Sequence, residues 1–153
     1  MAESDHRMYF DDVDVGEEWT SAGRTITETD AMMWSYLTGD WTSLHVDEEY
    51  AKAFSPFGGR IPPGMMTAAI GHGLLSQLRL FHETALAFLE LVIRYKDVVR
   101  VGDTVRARLK ITEKRETSRR DRGLVRLEQS VINQRDVVVQ DGEWLILVAR
   151  RPA

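Results

Sequence analysis

One run of the sequence limits the possible folds more than any other, because it predicts a helix without a polar face. After two adjacent prolines, apolar residues recur at helical spacing. These residues are Met66, Ile70, Leu74, Leu78 and Phe81. The remaining faces of the run carry mostly small or apolar residues: Met65, Ala68, Ala69, Gly71 and Leu75. We therefore predict a helix over residues 64–81 that other elements enclose.

The second half of the chain predicts antiparallel strands. Apolar and polar residues alternate over residues 87–96, 105–112 and 125–131, and a last strand is predicted over residues 137–149. Gly102-Asp103 marks one turn, and residues 113–123 form a polar hairpin end. Asp141-Gly142 in the last strand is compatible with a hairpin turn or a bulge, and the short piece before it favours a bulge.

The first half is mainly helical. A short strand is expected around Trp19, and a helix is expected to start at residues 27–30 and to stop at Gly39. A second helix over residues 46–53 has Asp47 as its cap. Helices followed by antiparallel strands predict an α+β domain, in which the sheet buries its apolar face on the helix that begins near Gly64.

Length and charge exclude several classes of protein. The 153 residues fit a single domain, 1–153, in which residues 1–8 are predicted to form a flexible tail. A net charge of -4 argues against a general nucleic-acid or anionic-membrane surface. The uncharged run over residues 61–78 holds two prolines and three glycines, so we interpret it as a buried helix rather than a membrane span. Four arginines near the predicted hairpin end fit a solvated turn better than a binding patch: Arg115, Arg119, Arg120 and Arg122.

The absence of cysteine excludes disulfides, thiolate zinc sites and a cysteine nucleophile. It fits a cytoplasmic location, as does an N-terminus without the apolar core of a signal peptide. We predict no metal, because no two histidines and a carboxylate share a metal-ligand spacing. Dinucleotide-binding and phosphate-loop glycine patterns are absent, and so is the motif of serine hydrolases.

The segment between the first two predicted helices carries the candidate chemistry. Asp40 lies just after the expected helix stop, and His45 follows five positions later. Either residue alone would be an ordinary turn aspartate or a hydrogen-bonded loop histidine. Of the other histidines, His72 is interpreted as a core or interface residue, His82 as a helix end and His6 as part of the tail.

Two runs together resemble the MaoC-like dehydratases, a family that includes the (R)-specific enoyl-CoA hydratases. The first run is Tyr36-Leu37-Thr38-Gly39-Asp40-Trp41-x-x-Leu44-His45-Val46-Asp47, followed by Tyr50-Ala51. The second is Gly59-Arg60-Ile61-x-x-Gly64-Met65. The resemblance implies a hot dog fold, in which a curved antiparallel sheet wraps a long central helix. The chain departs from the family pattern at Thr42-Ser43, where relatives usually have Asn-Pro, and at Pro63, where many have His.

The resemblance also implies a reaction: addition or removal of water at the C2–C3 bond of an enoyl-CoA or (R)-3-hydroxyacyl-CoA thioester. Asp40 and His45 would activate the water, and Thr42 and Ser43 would shape the loop between them. A backbone amide at a helix start is an anion site, so Gly64, with Met65, is the candidate oxyanion donor.

Arg60 is a candidate contact for the phosphates of CoA, which enters as part of the substrate. No separate cofactor is expected, and the fold implies a homodimer or a dimer-based oligomer. Two alternatives remain open at this point. One is an acyl-CoA thioesterase on the same fold, and the other is an acyl-CoA-binding domain without catalysis.

Overall fold

The structure, a computed structural model, describes residues 7–152. Its elements in chain order begin with a 3-10 turn at Phe10–Asp12. They continue with β1 (Glu18–Thr20), β2 (Arg24–Thr25), α1 (Glu28–Thr38), α2 (Ser43–Val46), α3 (Glu48–Phe54), α4 (Gly64–Ser76), β3 (Ala85–Tyr95), β4 (Thr104–Glu116), β5 (Arg122–Asn133) and β6 (Val138–Ala149). Within the described range, no helix is long and apolar enough to cross a membrane.

All the strands form one antiparallel sheet in the order β1-β4-β5-β6-β3, and β2 pairs with β4 beside β1. Alternate residues of β4 and β5 are buried, as the sequence pattern predicts. The buried side chains of α4 join them in one hydrophobic core. The predicted α+β architecture is therefore confirmed, with α4 as the helix on which the sheet packs.

Helices α1 and α3 begin where side chains satisfy free backbone amides. Thr27 and Asp30 form a capping box at the start of α1, and Gly39 ends that helix in the left-handed region at φ 75°. Asp47 caps α3 by accepting a hydrogen bond from the amide of Tyr50 at 2.9 Å. These boundaries are local in origin, and the predictions for both helices are confirmed.

The predicted end of α4 at Phe81 is wrong, because the helix stops at Ser76. Turns follow, with Arg79 and Glu83 in the left-handed region at φ 55° and 63°. Leu78, Leu80 and Phe81 still pack against the core from these turns. Apolar residues at helical spacing therefore reach the core without continuing the helix.

The expected enclosure of α4 is also incomplete in a single chain. Its buried residues face the sheet, but one stripe of the helix is exposed. This stripe consists of Met65, Ala69, His72 and Ser76. The helix carries apolar or small residues on most faces, with His72 and Ser76 on the exposed stripe, and one chain covers only part of it.

The bulge predicted at Asp141-Gly142 is wrong. Both residues pair in continuous register with Arg94 and Ile93 of β3, and the register between β5 and β6 shifts nearer Val139. A Cβ on Gly142 would clash with the carbonyl oxygen of Val92. The glycine therefore serves a close approach between neighbouring strands.

The first described residues contact the main body of the domain. The carbonyl of Met8 accepts a hydrogen bond from Thr84 Oγ1 at 2.6 Å, and its amide donates to Leu80 at 2.9 Å. Arg7 forms an ion pair with Glu83. The prediction of a flexible tail is therefore wrong for Arg7 and Met8. Positions 1–6, which include His6, lie outside the described residues.

Candidate active site

Asp40 follows the C-terminal end of α1 directly, and Thr42 fixes its carboxylate. The hydroxyl of Thr42 donates to Asp40 Oδ1 at 2.7 Å, and the amide of Thr42 donates to the same oxygen at 3.3 Å. The hydrogen bond from the Thr42 side chain is the main cause that lowers the pKa of Asp40, and His45 contributes when its ring is protonated. Asp40 is therefore an ionised carboxylate with one oxygen committed to the loop.

His45 lies in the single turn of α2, and a backbone carbonyl holds its ring. Nδ1 lies 2.7 Å from the carbonyl oxygen of Ile61. Because a carbonyl only accepts, Nδ1 carries a proton in this contact, and the neutral ring keeps its lone pair on Nε2. The imidazole is thereby prepared to accept a proton at Nε2.

The N-terminal end of α4 supplies donors. The carbonyl of Pro63 accepts hydrogen bonds from the amides of Met66 and Thr67, at 3.0 and 3.3 Å. The amides of Gly64 and Met65 find no acceptor in the described part of the chain. Free amides at the positive end of a helix can bind an oxygen that carries negative charge.

A side chain at position 64 would require the ring of Tyr95 to move. A Cβ there would lie 2.6 Å from Cε1 of Tyr95, which is closer than real side chains approach. Tyr95 is on β3, so the sheet contacts the first turn of α4 at this point. The glycine allows this contact and leaves the amide open.

Two adjoining cavities bring most of the predicted residues together. Asp40, Gly64 and Met65 line a cavity of about 560 Å3, with apolar walls from Leu44, Phe57, Ile61, Val98 and Val99. His45 and Arg60 line a cavity of about 260 Å3. Ile61 and Pro62 line both cavities. Asp40 and His45 form no direct hydrogen bond among the described residues, but His45 is near enough to affect the pKa of Asp40.

Two other predicted residues have different surroundings. Arg60 pairs with Glu28 at 2.8 Å and with Glu48 at 3.3 Å, so its guanidinium already has two carboxylate partners. Ser43 is exposed at the start of α2 and lines neither cavity. Of the pair that replaces Asn-Pro, only Thr42 holds Asp40.

The structure adds residues that the sequence analysis missed. Arg100 lines the cavity of His45 and donates to the carbonyl of Phe57 at 2.7 Å. Gln140 and Thr67 line the cavity of Asp40. The sequence offers no clear signal for Gln140, because it begins a polar stretch of the last strand, Gln140-Asp141-Gly142-Glu143. None marks Arg100 either, since its position depends on the path of the loop before β4. In residues 7–152 no group of three potential ligands could hold a metal ion.

Comparison with known proteins identifies the family. The model of the MaoC like domain matches residues 13–133. The chain belongs to the MaoC-like family. A 3-hydroxybutyryl-CoA dehydratase from Methylorubrum extorquens is 30% identical over 144 residues, which cover 94% of this chain and 86% of that protein. An (R)-specific enoyl-CoA hydratase from Rhodospirillum rubrum is 34% identical over 68% of this chain and 69% of its own length.

Solved structures that superpose on this chain identify its fold. A protein from Archaeoglobus described as a monoamine oxidase regulatory protein superposes with a TM-score of 0.90 at 32% identity, covering 95% of this chain and 97% of the other. A Mycobacterium tuberculosis protein with a double hotdog fold superposes with a TM-score of 0.83 at 21% identity, covering 96% of this chain and 46% of that one. The predicted hot dog fold is thereby confirmed. Named members of the family carry out hydration or dehydration, which is hydro-lyase chemistry.

Proposed function

We propose that this MaoC-like protein adds water to, or removes it from, the C2–C3 bond of an enoyl-CoA or (R)-3-hydroxyacyl-CoA thioester. One observation carries the proposal. An ionised carboxylate and the amides at a helix start lie on an apolar cavity, and an imidazole lies on the adjoining cavity, which shares Ile61 and Pro62 with the first. Neither the amides nor Nε2 of the imidazole has a partner among the described residues. A base, an acid and an oxyanion site are the three requirements of this reaction.

The mechanism follows from which atoms remain free. Asp40 uses Oδ1 to accept from Thr42, so Oδ2 is available to orient a water molecule. His45 Nε2 takes a proton from that water, whose oxygen bonds to C3 of the enoyl group. The electron pair of the C2–C3 double bond shifts toward the thioester, and its oxygen accepts from the amides of Gly64 and Met65. C2 then receives the proton from His45, which restores the neutral ring, and the reverse sequence is dehydration.

A CoA carrier needs positive charge near the cavity mouth. Arg60 is a weaker candidate than the sequence predicts, because binding a phosphate would compete with Glu28 and Glu48. Arg100 lines the cavity of His45, as Arg60 does, and its guanidinium donates to the neutral carbonyl of Phe57. We assign the main phosphate contact to Arg100, with Arg60 as a secondary contact.

The test uses a panel of enoyl-CoA thioesters of increasing chain length. Hydration is measured as the loss of absorbance of the conjugated double bond. Hydration of any member, abolished in His45→Gln, supports the proposal. Release of free thiol without loss of the double bond would instead establish a thioesterase. Tight binding without either reaction would establish a binding domain. Arg100→Gln should raise KM for CoA thioesters much more than it lowers kcat.

We also propose a homodimer formed through β3. This strand pairs with β6 on one side only and lies at the end of the sheet. Several of its apolar side chains are exposed: Leu86, Phe88, Leu89, Leu91, Val92 and Tyr95. Such an edge is a template for another strand, and a second copy would also cover the exposed stripe of α4.

The dimer is tested by sedimentation or light scattering at several concentrations. Leu91→Lys should shift the protein toward monomer, because it buries a charge at the new interface. Val137→Lys is a matched control, since Val137 is an exposed apolar residue in the turn before β6. A wild-type protein that remains monomeric at high concentration would refute the proposal. The cytoplasmic location stays a prediction.

A further inference from the structure

Gln140 occupies an unusual position beneath the candidate oxyanion site. It lies on β6, it is only 2% exposed, and its Nε2 donates to the carbonyl oxygen of Gly64 at 2.8 Å. Its other polar atom, Oε1, is buried without a hydrogen-bond partner in the described structure. The hydroxyl of Thr67, one turn along α4, is in the same condition. Burying such atoms unpaired is unfavourable, and a leucine at position 140 would avoid the cost.

A second contact reaches Gly64 from the same place in the sheet. Tyr95 of β3 pairs with Gln140 across the β3–β6 ladder. The ring of Tyr95 occupies the space where a Cβ of Gly64 would lie. Tyr95 and Gln140, which are neighbours in the sheet, therefore both contact Gly64. Tyr95 packs against its Cα, and Gln140 donates to its carbonyl.

The consequence concerns the next amide. The carbonyl of Gly64 and the N–H of Met65 belong to one planar peptide and point in opposite directions. A donor that holds the carbonyl therefore also fixes the direction of the Met65 N–H. It also polarises the peptide, which makes that N–H a stronger donor.

We propose that Gln140 is a positioning residue of the proposed hydration reaction. It orients and polarises the Gly64–Met65 peptide, so that the Met65 amide is a strengthened oxyanion donor beside the amide of Gly64. This inference rests on the proposed function for its role in turnover. Gln140 does not touch the substrate, and it acts through the backbone of α4.

The test compares Gln140→Leu with Gln129→Leu. Gln129 is a buried glutamine on the neighbouring strand β5, is 3% exposed and does not line the cavity of Asp40. Loss of a single oxyanion donor commonly costs a hundredfold or more in kcat; here the donor is only weakened, so Gln140→Leu should lower kcat by about tenfold. KM should change little in both variants, and kcat should change little in Gln129→Leu.

A readout independent of turnover completes the test. A saturated acyl-CoA labelled at the thioester carbonyl cannot be hydrated, and its carbonyl stretch measures the hydrogen bonds that the oxygen accepts. Wild-type protein should shift this band to lower frequency, and Gln140→Leu should lose part of the shift. Gln140→Asn, whose shorter side chain falls short of Gly64, should match Gln140→Leu and provides a second variant if the first does not fold.

The outcomes separate the two proposals. If Gln140→Leu loses part of the wild-type band shift but the wild type hydrates no enoyl-CoA, the hydratase function fails while the role of Gln140 in strengthening the Met65 amide stands. If Gln140→Leu keeps both the wild-type shift and the wild-type kcat, Gln140 only connects the helix to the sheet and the inference is wrong. The absence of any shift in the wild type overturns the inference as well.

Discussion

The two ends of α4 each lie beside a cavity and a histidine, but only one end is prepared for chemistry. At the N-terminal end, the carbonyl of Ile61 fixes His45 through Nδ1. At the C-terminal end, His72 borders a cavity of about 430 Å3 and contacts rings only, with centroid distances of 4.9 Å to Trp144 and 5.9 Å to Phe88. No described residue forms a hydrogen bond with His72. His72 lies on the exposed stripe of α4, so its interpretation as a core residue is wrong. Its interpretation as an interface residue stays a prediction.

This difference shows what distinguishes a site from a pocket. Both cavities are largely apolar and similar in size, so volume does not separate them. The N-terminal end also has an oriented carboxylate and free amides, which the helix direction provides at that end alone. The C-terminal end of the helix presents carbonyls, and these do not stabilise developing negative charge.

The largest expected effect comes from exchanging the same side chain at both ends. His45→Gln removes the proton acceptor at Nε2 and should lower kcat by roughly a thousandfold, within the usual range for acid-base groups. His72→Gln should keep activity within a few-fold. Initial rates with the best enoyl-CoA of the panel measure both, and circular dichroism checks the fold. Equal losses in the two variants would mean that the ends do not differ in the way described.

A second prediction compares glycines along the same helix. Gly64→Ala places a methyl group against the ring of Tyr95, so the ring or the first turn of α4 must shift. We expect the turn to shift and kcat to fall by about ten- to a hundredfold, as for a lost oxyanion donor. Gly73→Ala is the control, because a Cβ there meets no atom within 4 Å. It should keep activity and stabilise the protein by about 0.5–1 kcal/mol, measured by denaturant unfolding.

The Gly64 variant has an internal check. Adding Tyr95→Ala removes the ring atoms that the new methyl group would meet, so the double variant should recover part of the lost kcat. A double variant no more active than Gly64→Ala would mean that the ring is not the obstacle.

The residues at the two ends differ in how far they could be predicted. The Asp40 and His45 segment, the caps at Thr27 and Asp47 and the start of α4 depend on neighbours in the chain, so local patterns predict them. The contact between Gln140 and Gly64 joins residues 76 positions apart, which no local pattern encodes. The ion pairs of Arg60 with Glu28 and Glu48 depend in the same way on how α1, α3 and the loop before α4 pack together.

The end of α4 shows a case in which a local pattern predicts the wrong backbone. Leu78 and Phe81 continue the helical spacing and do contact the core, so the periodicity correctly predicts that these side chains face it. It cannot tell a helix from a series of turns that delivers the same side chains. Only the backbone at Arg79 and Glu83 decides between them.

A third prediction concerns the pH dependence at the N-terminal end. The hydrogen bond from Thr42 lowers the pKa of Asp40, so the carboxylate stays ionised to more acidic pH than an ordinary aspartate. Thr42→Val removes the hydroxyl and should raise that pKa toward its usual value. The acid limb of kcat/KM should therefore move to higher pH. Ser76→Ala, at the other end of α4, should leave the pH profile unchanged.

The sign for stability follows from the same shift. Because the folded-state pKa of Asp40 lies below its unfolded value, its ionised form stabilises the native protein above the unfolded pKa. This contribution is lost as pH falls through the folded value, and Thr42→Val should weaken it.

The kinetic prediction can also fail. An acid limb of kcat/KM that does not move in Thr42→Val would show that Asp40 ionisation does not control the reaction.

The smallest expected effect concerns a polar atom without a partner at the N-terminal end. Thr67 Oγ1 is buried and unpaired, so Thr67→Val exchanges an unsatisfied hydroxyl for a methyl group of similar volume. Removing a buried hydroxyl normally destabilises a protein when it breaks a hydrogen bond, but here no protein partner is lost. The free energy of unfolding should stay the same or rise by up to about 1 kcal/mol in denaturant titrations. A loss of more than about 1 kcal/mol would instead show that a water molecule or a bound ligand satisfies this hydroxyl in solution. In that case the unpaired atoms beneath Gly64 would belong to a hydrated site.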